Sequence, residues 1–137
     1  MLSPNRIVID TSAFCALILS KHINHSQAKL AYEHLLDWEW ELWTTSYILL
    51  ETSTVANLEH EPLKVFTDAV LSNIFNVAWV DKVVHEAAFK RMIRAENQMN
   101  LVNWTTIVIA ESLNARIFTF NQNFRQEGIL IFPHSKA

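Results

Sequence analysis

Short β-branched runs alternate along this chain with longer stretches in which apolar residues recur at the spacing of an α-helix. Residues 6–10 form the first such run, and they predict a strand that ends at the carboxylate of Asp10. Thr11 and Ser12 follow directly and can cap a helix that extends to residue 19. The chain is therefore expected to open with a strand, a carboxylate and a helix.

A glutamate is predicted on the inward face of a later helix. Apolar positions at helical spacing predict a helix from near residue 24 to residue 37, and residues 42–45 predict the second strand. In the helix that follows this strand, Glu51 shares one face with Ile48 and Thr52. We therefore expect the Glu51 carboxylate to lie among inward-facing residues.

The second half of the chain continues the alternation of helices and strands. It predicts, in order, a helix after Pro62, a strand at 76–80, a helix capped by Asp81 that runs to about residue 97, a helix at 104–113, a strand at 116–120, a helical turn at 122–127 and a last strand at 129–132. Asn114 and Gly128 stand where a left-handed residue ends a helix.

Strands that are separated by helices predict a parallel sheet, because parallel neighbours need crossover connections of that length. We therefore expect residues 1–137 to form a single domain, a three-layer α/β/α sandwich with a central, mainly parallel sheet. Half of the residues are hydrophobic, which is enough for a core without disulfides or structural metals.

Composition narrows the classes of function. The net charge of −3 argues against a protein that binds nucleic acid by broad phosphate neutralisation. Gly128 is the only glycine, which excludes glycine-rich phosphate loops, and Cys15 is predicted to be a core residue. The longest apolar run, residues 14–19, is too short to cross a membrane, so we expect a cytoplasmic protein without membrane contact.

Other chemistry-bearing side chains allow two interpretations each. The six histidines lack the spacing of a zinc site. Lys90, Arg91 and Arg94 form either the solvated face of a helix or a contact for phosphates. Three tryptophans lie close together in the sequence, at positions 38, 40 and 43. They either pack in the core or belong to an interface with a second copy or a partner, and we predict a homodimer if they form an interface.

Four polar side chains are expected at one edge of the sheet. Asp10 and Asn121 each follow a predicted strand, Asn103 lies at the start of a helix, and Glu51 lies in the helix after the second strand. Ligands of open parallel sheets bind beyond the carboxyl ends of the strands. The alternative is that Asp10, Asn103 and Asn121 only cap helices and that Glu51 is solvated.

The sequence motifs at these positions resemble those of PIN domains, particularly VapC-like toxins. The motifs are I-V-I-D-T-S, L-L-E-T, N-L-V-N-W-T-T-I-V-I-A and T-F-N-Q-N-F, and together they span nearly the whole chain. The resemblance implies a metal-dependent endonuclease for single-stranded RNA, with Mg²⁺ or Mn²⁺ held by Asp10, Glu51, Asn103 and Asn121. It also implies an antitoxin-like protein as a partner.

Two of the four positions depart from the family pattern. The family has aspartates where this chain has Asn103 and Asn121, and Trp104 is bulkier than the small residue usual at its position. An amide oxygen can coordinate Mg²⁺ or Mn²⁺, but it adds no negative charge. We therefore expect catalysis to be weakened or lost. The alternatives are an active Mg²⁺- or Mn²⁺-dependent endoribonuclease toxin and a non-catalytic module that binds protein or RNA.

Overall fold

A parallel sheet forms the centre of the molecule. The computed structural model describes residues 5–56 and 59–133. In this part of the chain the strands pair in the spatial order β3-β2-β1-β4-β5, and every pairing is parallel. Their bounds are β1 (Arg6–Ile9), β2 (Glu41–Thr45), β3 (Asn76–Ala78), β4 (Arg116–Phe118) and β5 (Ile131–Phe132).

Helices connect these strands and cover the sheet. Their bounds are α1 (Thr11–Ile18), α2 (His25–Asp37), α3 (Ser46–Ala56), α4 (His60–Leu71), α5 (Lys82–Arg94) and α6 (Leu101–Leu113), with a 3₁₀ helix at Gln122–Glu127. The predicted α/β/α architecture with a parallel sheet is confirmed. Among the described residues, no helix combines the length and hydropathy needed to cross a bilayer.

The middle strand explains why the sheet is stable. Ile7, Val8 and Ile9 in β1 are completely buried, since β2 and β4 pair on either side and helices cover the faces. Val8 lies opposite Trp43 on β2 and Ile117 on β4. Because β1 is central, its carboxyl end brings Asp10 to the middle of the sheet edge.

Residue types at the helix ends account for several element boundaries. The carboxylate of Asp81 accepts a hydrogen bond from the backbone N–H of Val84 and caps α5, as predicted. Asn114 ends α6 in the left-handed conformation, with φ 52°, and Gly128 ends the 3₁₀ helix with φ 77°. These three predictions are confirmed.

Other boundaries differ from the predictions. Helix α6 begins at Leu101, before the predicted start at Trp104, because Asn100 caps it. Helix α5 ends at Arg94 because Ala95 is already extended. Strand β4 ends at Phe118, and the residues after it leave the strand to form the candidate site.

Some predicted core positions are also different. Cys15 is a buried free thiol, as predicted. By helical spacing Leu36 belongs to the apolar stripe of α2, and Ile74 belongs to that of the helix after Pro62, but both are exposed. Ile74 lies beyond Leu71, where α4 ends, so the helical spacing does not apply to it.

Candidate functional site

Asp10 lies at the carboxyl end of β1, almost fully buried, with 3% of its surface exposed. Its Oδ1 accepts hydrogen bonds from the Ser12 hydroxyl at 2.8 Å and from the backbone N–H of Ala13 at 3.0 Å. Its Oδ2 accepts a hydrogen bond from the Thr119 hydroxyl at 2.6 Å. Asp10 therefore caps α1 and also joins the end of β1 to the segment after β4.

Burial makes the charged form of Asp10 costly. It raises the pKa of Asp10 from its ordinary value of 3.8 to about 6, against the opposing effect of the three hydrogen bonds. The nearby charge of Glu51 adds to the rise. The same two carboxylates add to the effect of burial in raising the pKa of Cys15.

Glu51 is half-buried in α3, and its neighbours in sequence are the exposed Leu50 and the buried Thr52. Thr52 and Ile48, which were predicted to share its face, are completely buried. A carboxylate oxygen of Glu51 accepts a hydrogen bond from the side-chain amide of Asn100 at 3.4 Å. This contact lies at the surface and joins α3 to the start of α6.

Asn103 occupies the first turn of α6 and forms a capping box with Asn100. The side-chain oxygen of Asn100 accepts from the backbone N–H of Asn103 at 2.9 Å, and the side-chain oxygen of Asn103 accepts from the backbone N–H of Asn100 at 3.0 Å. The Asn103 oxygen, a predicted metal ligand, is therefore used to stabilise a helix end.

Asn121 caps the 3₁₀ helix that follows β4. Its side-chain oxygen accepts from the backbone N–H of Asn123 at 3.0 Å. Its own backbone N–H donates to the Thr119 hydroxyl at 2.9 Å. Thr119 thus contacts both Asp10 and Asn121, although the Asn121 side chain itself is turned toward its own helix.

The four predicted site residues are connected through two intermediaries. Thr119 links Asp10 to the backbone of Asn121, and Asn100 links Glu51 to Asn103. Among the described residues no hydrogen bond joins the two pairs, and the charge of Glu51 acts on Asp10 only as a minor cause of its raised pKa. The helix-cap alternative for Asp10, Asn103 and Asn121 is also seen, so all three residues have a structural role at this edge.

The donor set fits a divalent metal ion poorly. It offers two carboxylates, whereas the two amide oxygens already accept backbone N–H groups. The hydroxyl oxygens of Thr11 and Thr52, next to the carboxylates in sequence, are buried and lack partners among the described residues, but they bring no charge. No cluster of three or more His, Cys, Asp or Glu side chains suited to a metal occurs in the described ranges.

Sequence reasoning gave Ser12 and Asn100 too small a role. Ser12 was treated as a helix cap, but its hydroxyl donates to Asp10 and accepts from the backbone N–H of Phe120 at 2.9 Å. Asn100 is not one of the four predicted site residues, yet it contacts both Glu51 and Asn103. The signal for both was available, since each lies two or three residues from a predicted site residue.

The basic residues of α5 are divided between two environments. Arg91 pairs with Glu111 at 2.5 Å, and its guanidinium lies 5.4 Å from the centre of the Trp104 ring. Arg94 is exposed. Trp104 is itself buried in α6, so its bulk is accommodated by the core and by Arg91. Arg91 therefore has a structural role in addition to its place on the exposed face of α5.

Comparison with known proteins bears on the family and the fold. A sequence profile described as the PIN domain matches residues 7–129. The chain is similar to VapC20 of Mycobacterium tuberculosis, a toxin that cleaves the sarcin-ricin loop, with a TM-score of 0.80, 22% identity, and coverage of 90% of this chain and 96% of that chain.

It is also similar to VapBC2 from Rickettsia felis, whose structure was determined with a DNA fragment from their promoter. There the TM-score is 0.69 and the identity 11%, over 92% of this chain and 96% of that chain. No curated protein sequence matches the chain significantly. Because both identities are below 25%, the similarity to these two structures establishes the fold alone.

Proposed function

Because the chain belongs to the PIN-domain family, we propose that it is a VapC-type PIN domain whose metal-dependent cleavage of single-stranded RNA is weakened or lost. One observation carries this proposal. The side-chain oxygens of Asn103 and Asn121, at two positions expected to bind metal, each accept a backbone N–H at 3.0 Å and carry no charge. Both residues act as helix caps in place of anionic ligands.

The missing charge has a large electrostatic effect. Two unit charges separated by about 4 Å interact by roughly 4 kcal/mol at an effective dielectric constant near 20. A fraction of that energy, lost at Asn103 and again at Asn121, lowers the affinity for Mg²⁺ or Mn²⁺ by orders of magnitude, because about 1.4 kcal/mol corresponds to a tenfold change. The remaining pair, Asp10 and Glu51, supplies only half of the charge expected in the family.

A second candidate function is an active endoribonuclease. The specific observation in its favour is that Asp10 keeps its hydrogen bonds from Ser12 and Thr119 and lies near Glu51. In this case Asn103 and Asn121 serve as neutral ligands of Mg²⁺ or Mn²⁺. Both proposals rest on the same arrangement of carboxylates, so only a measurement of nuclease activity distinguishes one proposal from the other.

The test is a cleavage assay on single-stranded RNA with Mg²⁺ or Mn²⁺. Purified protein is compared with the Asp10→Asn variant, which removes one of the two carboxylates and retains an oxygen for the hydrogen bond from Ala13. We expect little or no cleavage by the wild type, and no difference between the two proteins. Metal-dependent cleavage that disappears in Asp10→Asn establishes the active enzyme and contradicts our proposal.

A non-catalytic role requires a partner, and we propose an antitoxin-like protein. An apolar cleft of about 310 Å³ lies between α1, α2 and α4, lined by Phe14, Tyr32 and Phe66 among others. Such a cleft suits the apolar side chains of a partner segment. Lys29 and His25 also line this cleft, which favours a segment with acidic residues beside its apolar ones.

Co-purification with the product of an adjacent small gene tests this partner. Val65 lines the cleft and is 56% exposed, whereas Val83 on α5 is 75% exposed and does not line it. We expect Val65→Glu to break the complex and Val83→Glu to leave it intact. Equal behaviour of the two variants contradicts the assigned cleft.

A further inference from the structure

A wide groove lies beside the candidate site, between α2 and the carboxyl ends of β4 and β5. Its volume of about 890 Å³ falls in the range of sites for small organic ligands. Three aromatic side chains line it: Trp38, Phe120 and Phe132. The Trp38 ring is 55% exposed, although Phe132 packs against it with ring centres 6.2 Å apart. The groove therefore presents a supported aromatic surface to solvent.

Neutral hydrogen-bonding groups surround these rings. The side chains of Asn24, Gln27 and Gln122 line the groove. Gln27 and Gln122 are exposed, and the Asn24 side chain makes no capping bond to the helix that it precedes. Each amide offers both donors and an acceptor. Among the described residues that line the groove, none is Lys, Arg, Asp or Glu.

This chemistry selects a particular class of ligand. Phosphates and carboxylates are bound mainly by Lys and Arg side chains, which the described lining lacks; His34, whose ring packs against Trp38, is its one titratable group. A flat, neutral heterocycle with several donors and acceptors matches the aromatic surface and the amides together, as in proteins that read unpaired bases. We propose that the groove binds unpaired bases of single-stranded RNA, stacked on Trp38 and hydrogen-bonded by Gln27 and Gln122.

The groove lies next to the candidate site. The backbone N–H of Phe120, one of the groove residues, donates to the Ser12 hydroxyl at 2.9 Å, and Ser12 donates to Asp10 at 2.8 Å. Phe120 and Gln122 line the groove, and Asn121 between them caps the 3₁₀ helix. One RNA strand that crosses this edge of the sheet contacts both places. Base binding needs no metal, so the inference goes beyond the proposed loss of cleavage.

Fluorescence anisotropy with labelled hexaribonucleotides of adenine, cytosine or uracil, in EDTA, tests the assignment. We expect binding of at least one hexamer, and an increase in Kd of about tenfold or more in Trp38→Ala. The matched control is Trp79→Ala, because Trp79 is 76% exposed and does not line the groove. Its Kd should equal that of the wild type.

An abasic hexamer with the same number of phosphates distinguishes bases from backbone. We expect it to bind at least about tenfold more weakly, and the wild-type affinity for the base-containing hexamer to vary little with salt, because few phosphates are neutralised. The inference is overturned by equal affinities of the Trp38→Ala and Trp79→Ala variants, by full binding of the abasic probe, or by no binding of any hexamer. Since EDTA removes divalent ions, the result is independent of the cleavage assay.

Discussion

The hydroxyl of Thr119 donates a hydrogen bond of 2.6 Å to Oδ2 of Asp10, across a sequence separation of 109 residues. This bond ties the end of the central strand β1 to the segment after its neighbour β4. The same hydroxyl accepts the backbone N–H of Asn121. Thr119 therefore positions two of the four candidate site residues while its own side chain is completely buried.

Replacement of Thr119 by valine is expected to destabilise the fold. The variant keeps the shape of the side chain but leaves Oδ2 of Asp10 and the N–H of Asn121 without this partner, which costs about 1–3 kcal/mol. Urea denaturation measures the free energy of unfolding. Thr119→Ser keeps the hydroxyl and should retain most of the stability, and an equal loss in both variants would show that packing, not hydrogen bonding, is responsible.

The buried carboxylate of Asp10 predicts a specific dependence of stability on pH. Its pKa is about 6 in the folded protein against 3.8 ordinarily, so between these values the folded chain binds more protons than the unfolded chain. The stabilising contribution of protonated Asp10 is complete below the lower value. This contribution is lost as the pH rises through the folded-state pKa of about 6, and the free energy of unfolding falls by up to ~3 kcal/mol in total.

The Asp10→Asn variant isolates this effect because it removes only that titration. We expect its free energy of unfolding, relative to the wild type, to increase by about 1–3 kcal/mol between pH 4 and pH 7 in EDTA. Chemical denaturation at a series of pH values gives the difference. A difference that is constant over this range contradicts the raised pKa of Asp10.

Cys15 is predicted to be unreactive in the folded protein. Its side chain is buried, and burial together with the charges of Asp10 and Glu51 raises the pKa of the thiol, which lowers the thiolate fraction. A thiol reagent at pH 8 should therefore modify Cys15 at the rate of unfolding, and rapidly in urea. Fast modification of the native protein is the contrary result.

The homodimer remains a prediction. It was based on three tryptophans, and the structure places these in different environments. Trp38 is exposed beside the groove, whereas Trp40 is half-buried with the guanidinium of Arg116 at 5.5 Å from its ring centre. Trp43 donates to Glu41. Of the three indoles, Trp38 is therefore the one that is largely exposed. Light scattering at high micromolar concentration tests the prediction, and a monomeric mass contradicts it.

The pattern of apolar residues was sufficient to predict the sheet. Ile7, Val8 and Ile9 are buried on both sides, and a strand of that kind needs helices on both faces. Helix ends were harder, as at α6, where a capping box of Asn100 and Asn103 replaces the more familiar serine and glutamate. The sequence signature of this helix start was correspondingly weak.

The roles of the amides could not be predicted from sequence for a different reason. A side-chain oxygen of asparagine caps a helix or coordinates a cation equally well by its chemistry. Which of the two occurs depends on the direction of the side chain, and Asn103 and Asn121 both direct their oxygens to backbone N–H groups. That direction is set by tertiary structure at the end of β4 and the start of α6.

The central claim is that the site lacks the negative charge needed to hold a divalent ion. Calorimetric titration with Mn²⁺ of the wild type and of the double variant Asn103→Asp, Asn121→Asp tests it most directly. Aspartate also caps helices, so the fold should be preserved. Asn5→Asp with Asn73→Asp adds the same charge at two exposed positions that neither the site nor the groove uses, and is the control.

We expect the site variant to bind Mn²⁺ at least about tenfold more tightly than both the wild type and the control, which is a difference of about 1.4 kcal/mol or more. If the wild-type protein binds Mn²⁺ as tightly as the site variant, the site does not lack the charge needed to hold the ion.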